Sequence, residues 1–307
     1  MWVRSEVPGD ILNKRSLIIL FLMLCQYAFG APAFASAISE ATSEPVIVST
    51  VNYPPYIYPE QLLPLGYGLG RDIVSESFAL VNLPAEFQVL PMSRNVWSLR
   101  EGRVNANLGV SGWFQADGMS AQIDNVDILN MNFVLFYKRQ RFPDGFSFSQ
   151  LSGLSPYTIG NVRGSATTRI VERAGLNVSY ASRIVQNLRK LEAGRIDFAI
   201  AVDLAGWQII HEHFPDKMHE FATIKQPILT VPLAVIFRKE DQVLKDKFIH
   251  GFQQLIASKR YIQILQKYYH HVRIDRQDIP RSVYAQFDDS CPELTDLLDG
   301  EDSLTRQ

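Results

Sequence analysis

The stretch Leu99-Arg-Glu-Gly-Arg-Val-Asn105 returns 92 residues later as Leu191-Glu-Ala-Gly-Arg-Ile-Asp197. Each copy reads as the end of a helix, a glycine and the start of a strand. The leucine packs the last helical turn, the glycine takes the left-handed conformation that closes it, and Arg-Val or Arg-Ile opens the strand. The second copy is preceded by a matching strand at Tyr157-Thr-Ile-Gly160 and a helix from Ser165 to Ala174, closed by Gly175. A chain that builds this unit twice is constrained to two similar α/β lobes rather than one enlarged domain. Its 307 residues allow either one domain of unusual size or two ordinary ones, because single cores stop growing at roughly 250 to 300 residues, so the repeat decides.

The first unit can be followed from its start. Val46-Ile-Val-Ser-Thr-Val51 reads as a buried strand, halted by Asn52-Tyr-Pro-Pro-Tyr56. Val74, Phe78 and Val81 recur at helical spacing from Arg71 onward, and Glu86 to Leu90 forms the next strand. A short helix from Ser93 buries Val96 and Leu99 and stops at Gly102, after which Val104 to Val110 is a further strand. This alternation predicts a mainly parallel sheet. Leu244, Phe248, Phe252, Leu255, Ile262 and Leu265 predict one long amphipathic helix. Beyond His271 the chain turns polar and acidic, which predicts a loosely docked or mobile end.

At the N-terminus, Lys14 and Arg15 precede the apolar run Ser16 to Leu24, followed by small residues from Gly30 to Ala37. The run is shorter than the roughly 20 apolar residues a spanning helix needs. It therefore reads as a secretory leader over 1–37, cleaved after Ala35 or Ala37, and the product is expected in the periplasm. Cys25 falls inside the leader, so Cys291 would remain alone, with no intrachain disulfide. Leu22-Met23-Leu24 lacks the small side chains of a lipidation signal before Cys25. Thirty basic and 32 acidic residues give a net charge of −2, which supplies no field for nucleic acid.

The ordered landmarks Tyr53-Pro-Pro-Tyr56, Gly70-Arg-Asp-Ile-Val74, Leu99-x-x-Gly102, Gly164-Ser165, Leu191-x-x-Gly-Arg-Ile-Asp197 with Asp203, and Ser258 to Tyr268 are spread over nearly all of the chain from about Glu44 to His271. In their order and spacing the chain resembles the type II periplasmic solute-binding proteins of the polar amino-acid uptake family, the bacterial extracellular solute-binding family 3. The resemblance implies two α/β lobes joined by two crossing strands, with lobe 1 at 44–129 and 231–271, lobe 2 at 130–230 and an acidic extension at 272–307. It sets the crossings near Leu129 to Phe133 and Ile228 to Pro232.

It also implies a ligand site. Tyr56, with Tyr53 beside it, stands where an aromatic stacks on the ligand, although both suit packing of the strand end equally well. Gly164-Ser165 opens a second-lobe helix whose free N–H groups, with Arg163, would hold an anion, or it is an ordinary helix cap. Asp203 matches the acid that pairs with a ligand ammonium. One departure matters: the family's Thr-x-x-Arg, whose Arg clamps the ligand carboxylate, is here Ser111-Gly-Trp-Phe-Gln-Ala-Asp117. Arg94 is the candidate substitute, and Trp113 offers a flat apolar face. With the clamp missing and Asp203 retained, the ligand is expected to be recognised more through an ammonium than a carboxylate.

The resemblance therefore implies a monomeric binding protein that delivers a small polar solute, an amino acid or related amine, to an inner-membrane ABC permease. The alternative is a sensing module for a membrane signalling protein. An enzyme of this fold is the third reading, and it finds no Gly-x-Ser-x-Gly, His-Glu-x-x-His or phosphate loop here. His211-Glu-His213 with His219 reads as an exposed polar segment rather than a metal frame, so neither metal nor cofactor is expected.

Overall fold

The structure is a computed structural model that describes residues 44–270 and 272–285. The expected leader at 1–37 with its expected cleavage positions, both cysteines and the acidic residues from Asp288 onward lie outside the described residues.

β1 (Val46–Thr50) is flanked by β2 (Ala85–Val89) and β3 (Ala106–Gly109), all parallel. The crossovers are helices α1 (Leu69–Ala79) and α2 (Met92–Arg100). After α3 (Ser111–Ala116) the 16-residue strand β4 (Ile123–Lys138) runs on to a second block of the same design. There β5 (Thr158–Val162) is parallel to both β6 (Asn177–Ala181) and β7 (Phe198–Val202), with α4 (Thr168–Arg173) and α5 (Ile184–Glu192) as crossovers. α6 (Asp203–His213) and β8 (Phe221–Thr223) follow, and β9 (Leu229–Arg238) returns antiparallel between β3 and β4. The sheet order is β2-β1-β3-β9-β4-β7-β5-β6. Two parallel blocks are thus joined by the antiparallel β4–β9 ribbon, so the expected parallel character holds within each block and not across the sheet. The ribbon pairs Leu129 with Leu233 and Phe133 with Leu229.

The sequence echo has a structural counterpart. Gly102 and Gly194 both have positive φ, at 65° and 68°. The Asn105 side chain accepts a hydrogen bond from the Ile47 N–H at 2.7 Å, and Asp197 accepts one from the Thr158 N–H at 2.9 Å. Each polar residue therefore pins its own strand to the first strand of its block. Asp197 also accepts a hydrogen bond from Arg141 Nε at 3.0 Å.

Two expectations change at the C-terminal end. The long helix is broken into α7 (Gln242–Ala257) and α8 (Arg260–Tyr268) by Lys259, whose φ of 62° is left-handed. The segment from Val272 to Ala285 is not loose. Ile274, Ile279 and Val283 are buried in the first-lobe core, and Val283 belongs to the short helix α9 (Arg281–Tyr284). Asn130 Nδ2 on β4 donates to the Gln277 carbonyl at 2.9 Å, and Asn132 Nδ2 donates to Asp278 Oδ1 at 2.7 Å. Thr230 Oγ1 on β9 donates to Asn132 Oδ1 at 2.7 Å, so one relay ties this segment to both strands of the ribbon. α7 packs on α1 at backbone distance: a Cβ on Gly251 would stand 1.9 Å from the Ser77 carbonyl oxygen.

Candidate ligand-binding cleft

In open α/β sheets ligands gather beyond the carboxyl ends of the strands. Here the segments after β1, β2, β3 and β5 contribute to one cavity of about 680 Å³, with Ile200 and Ala201 of β7 and Met131, Phe133, Val231 and Leu233 of the ribbon in its wall. That volume lies within the usual range for small-molecule sites. Most of the lining is apolar, and Arg163 is its one charged residue among the described residues.

Tyr53 lines the cavity, and Tyr56 lies behind it, fully buried, with ring centroids 5.9 Å apart and planes 13° from parallel. Burial pushes the Tyr53 phenol up to about 12. Burial, together with the charges of Asp278 and Asp203, raises Tyr56 well above its ordinary range, so both hydroxyls are neutral at physiological pH. Trp113, on α3, also lines the cavity. Its ring lies against Gly109 of β3, where a Cβ would stand 2.4 Å from the ring edge. Glycine at that strand position is what lets the indole reach the cleft.

On the second lobe, Arg163, Gly164 and Ser165 all border the cavity, but the helix expected to open at Ser165 does not. Gly164 has a φ of 72° within a turn, and α4 begins at Thr168 and runs for six residues. Ser165 Oγ donates to Asn161 Oδ1 at 3.0 Å, and Thr167 Oγ1 donates to the same oxygen at 2.9 Å. That oxygen also receives the Val162 N–H at 2.9 Å. Asn161 is therefore oriented with its acceptor saturated, while its buried Nδ2 has no partner. It lines the cleft, and sequence reasoning missed it, although its place one residue before the strand end marks it. An amide donor in this state suits a ligand oxygen.

The remaining candidates lie elsewhere. Arg94 is exposed on α2, and Met92 of that helix lines the cavity in its stead. Ser111 begins α3, but Gly112, Trp113 and Ala116 form the lining there. Asp203 begins α6 and borders a second cavity that shares no lining residue with the first. Its carboxyl accepts a hydrogen bond from Trp207, and burial, with Asp278 and Asp275 nearby, pushes it up to about 7. The cleft thus carries a cation and no carboxylate. Among the described residues no group of three or more His, Cys, Asp or Glu is placed to hold a metal ion, and no helix is long and apolar enough to cross a membrane.

No protein-family model matches the chain, and no curated protein is similar to it. Solved structures are. A histidine kinase sensor domain with similarity to periplasmic binding proteins is 19% identical, covering 74% of this chain and 96% of its own, with a TM-score of 0.56. The arginine-, lysine-, histidine-binding protein ArtJ from Geobacillus stearothermophilus is 18% identical, covering 80% of this chain and all of its own, with a TM-score of 0.54. The substrate binding protein of an amino acid ABC transporter is 16% identical, covering 74% of this chain and 99% of its own, with a TM-score of 0.53. The architecture is that of the two-lobe, type II periplasmic-binding-protein fold.

Proposed function

We propose that this chain is an exported solute-binding protein that closes two lobes, 44–129 with 231–271 and 130–230, on a small carboxylated solute for an inner-membrane ABC permease. The observation that carries the reading is the cleft. Side chains from both blocks and the ribbon surround one cavity, and its polar end is Arg163 with the unpartnered Asn161 Nδ2. A carboxylate placed there would meet two donors, while Tyr53 and Trp113 cover an apolar or aromatic body. An amino acid with an apolar side chain fits both ends. The neighbours support binding rather than catalysis, since two of them are named as binding proteins for amino acids or for an amino-acid transporter. The leader at 1–37 supports export to the periplasm.

A second reading, a sensing module for a membrane signalling protein, draws on the kinase sensor domain among the neighbours. Thermal-shift screening of residues 38–307 against amino acids, polyamines and organic acids tests the first part of the proposal. An apolar or aromatic amino acid should raise the melting temperature, and Arg163→Ala should weaken that ligand by about 1.5 to 3 kcal/mol. Stabilisation by polyamines alone, unchanged in Arg163→Ala, would overturn the carboxylate assignment. Reconstitution with a permease in vesicles separates transport from sensing.

A further inference from the structure

The second cavity, about 370 Å³, lies between α6, the β4 and β8 strands and the C-terminal segment, whose residues Val272 to Gln277 form one wall. That segment lies beyond the landmarks that relate the chain to solute-binding proteins. It is fixed in place by the Asn130 and Asn132 hydrogen bonds and by Gln277 Nε2, which donates to the Lys225 carbonyl at 3.2 Å.

Asp203 borders this cavity with one carboxylate oxygen, Oδ1, sealed from solvent and without a hydrogen-bond partner. A buried carboxylate is costly unless a cation or donor completes it. Among the described residues Trp207 donates to that carboxyl, and Trp207 itself lines the cavity. Arg139, Lys225 and Arg273 also line it and are exposed, with the half-buried Asp275 among them, so positive charge outweighs negative where the cavity meets solvent. A half-buried acid with one unpartnered oxygen beside an indole, and exposed cations at the rim, is complementary to a molecule with an ammonium at one end and an acidic group at the other.

We propose that this cavity is a second small-molecule site, distinct from the cleft, that takes a compact ω-amino acid or similar zwitterion with its ammonium on Asp203 and Trp207 and its carboxylate toward Arg139 and Lys225. The site stands independently of the reading of the cleft, because the two cavities share no residue. Burial and neighbouring charge place the Asp203 titration near 7, so occupancy should strengthen as pH rises through that value and the carboxylate ionises.

The probes are 5-aminovalerate, pentylamine and pentanoate, matched in chain length, titrated calorimetrically into the full mature chain and its variants above about pH 8, where a group titrating near 7 is ionised. 5-Aminovalerate should bind best, pentylamine more weakly and pentanoate least. Asp203→Asn should weaken 5-aminovalerate at least about tenfold, Trp207→Phe should weaken it less, and Arg163→Ala should leave it unchanged. Circular dichroism melts establish that each variant folds. If Asp203→Asn fails to fold, the Trp207→Phe result and the order of the three probes still decide. Equal binding in Asp203→Asn, loss of binding in Arg163→Ala, or no 5-aminovalerate binding up to about 10 mM would each overturn the proposal.

Discussion

Asp203 and Asp278 make the stability of this fold fall as the solution becomes less acidic. Both carboxyls are raised from an ordinary value near 3.8 to about 7. Burial is the largest cause for each, and the Asp278 charge adds to the shift at Asp203. A carboxyl titrating higher in the folded state holds its proton where the unfolded chain has released it, so the folded state binds more protons between about 4 and 7 and stability drops with rising pH across that window. A shift of this size corresponds to about 4 kcal/mol for one group. The pair contributes less than twice that, because part of the Asp203 shift is repulsion from Asp278. Against a total stability of about 5 to 15 kcal/mol the effect is large. Urea denaturation followed by tryptophan fluorescence from pH 5 to pH 8 should show the midpoint falling, and Asp203→Asn should flatten the fall by making the side chain neutral at every pH. A wild-type midpoint that is constant or rises over this range, or an equal slope in Asp203→Asn, would refute the burial argument.

Gly251→Ala drives a Cβ to 1.9 Å from the Ser77 carbonyl oxygen, so α1 and α7 must separate, and urea melts should show a loss of at least about 1 to 3 kcal/mol. Gly109→Ala should dislodge the Trp113 ring, read as a change in tryptophan emission and a weaker cleft ligand. Asp278→Ala leaves the Asn132 amide buried without its acceptor, a cost of about 1 to 3 kcal/mol. Hydrogen exchange should then accelerate over 272–285 before it does elsewhere.

What the sequence made legible was whatever local chemistry dictates without tertiary help. Gly102 and Gly194 announced two helix ends because a left-handed residue there favours glycine, and the strand ends carrying Tyr53, Trp113 and Arg163 announced a shared face. Lys259 takes the same left-handed conformation without glycine's signature, so the break between α7 and α8 was hidden. Gly164-Ser165 looked like a helix start because the hydroxyl that would cap it was not visibly committed, yet in the fold it serves Asn161. Ile274, Ile279 and Val283 are few and stand among charged residues, too short a pattern to mark an element, so a segment held by the core read as loose. Asp203 was placed correctly at a strand end, but the side to which the first turn of α6 sends its carboxyl depends on packing against Trp207 and the C-terminal segment, which no local pattern encodes.

The relay from Asp278 through Asn132 to Thr230 fastens the C-terminal segment to both strands of the ribbon, while Ile279 and Val283 share a core with Val48, Val74 and Phe78 of the first block. A spin label on exposed Arg281 should therefore keep constant distances to labels on the first block. It would serve as a reference from which displacement of the second block is measured.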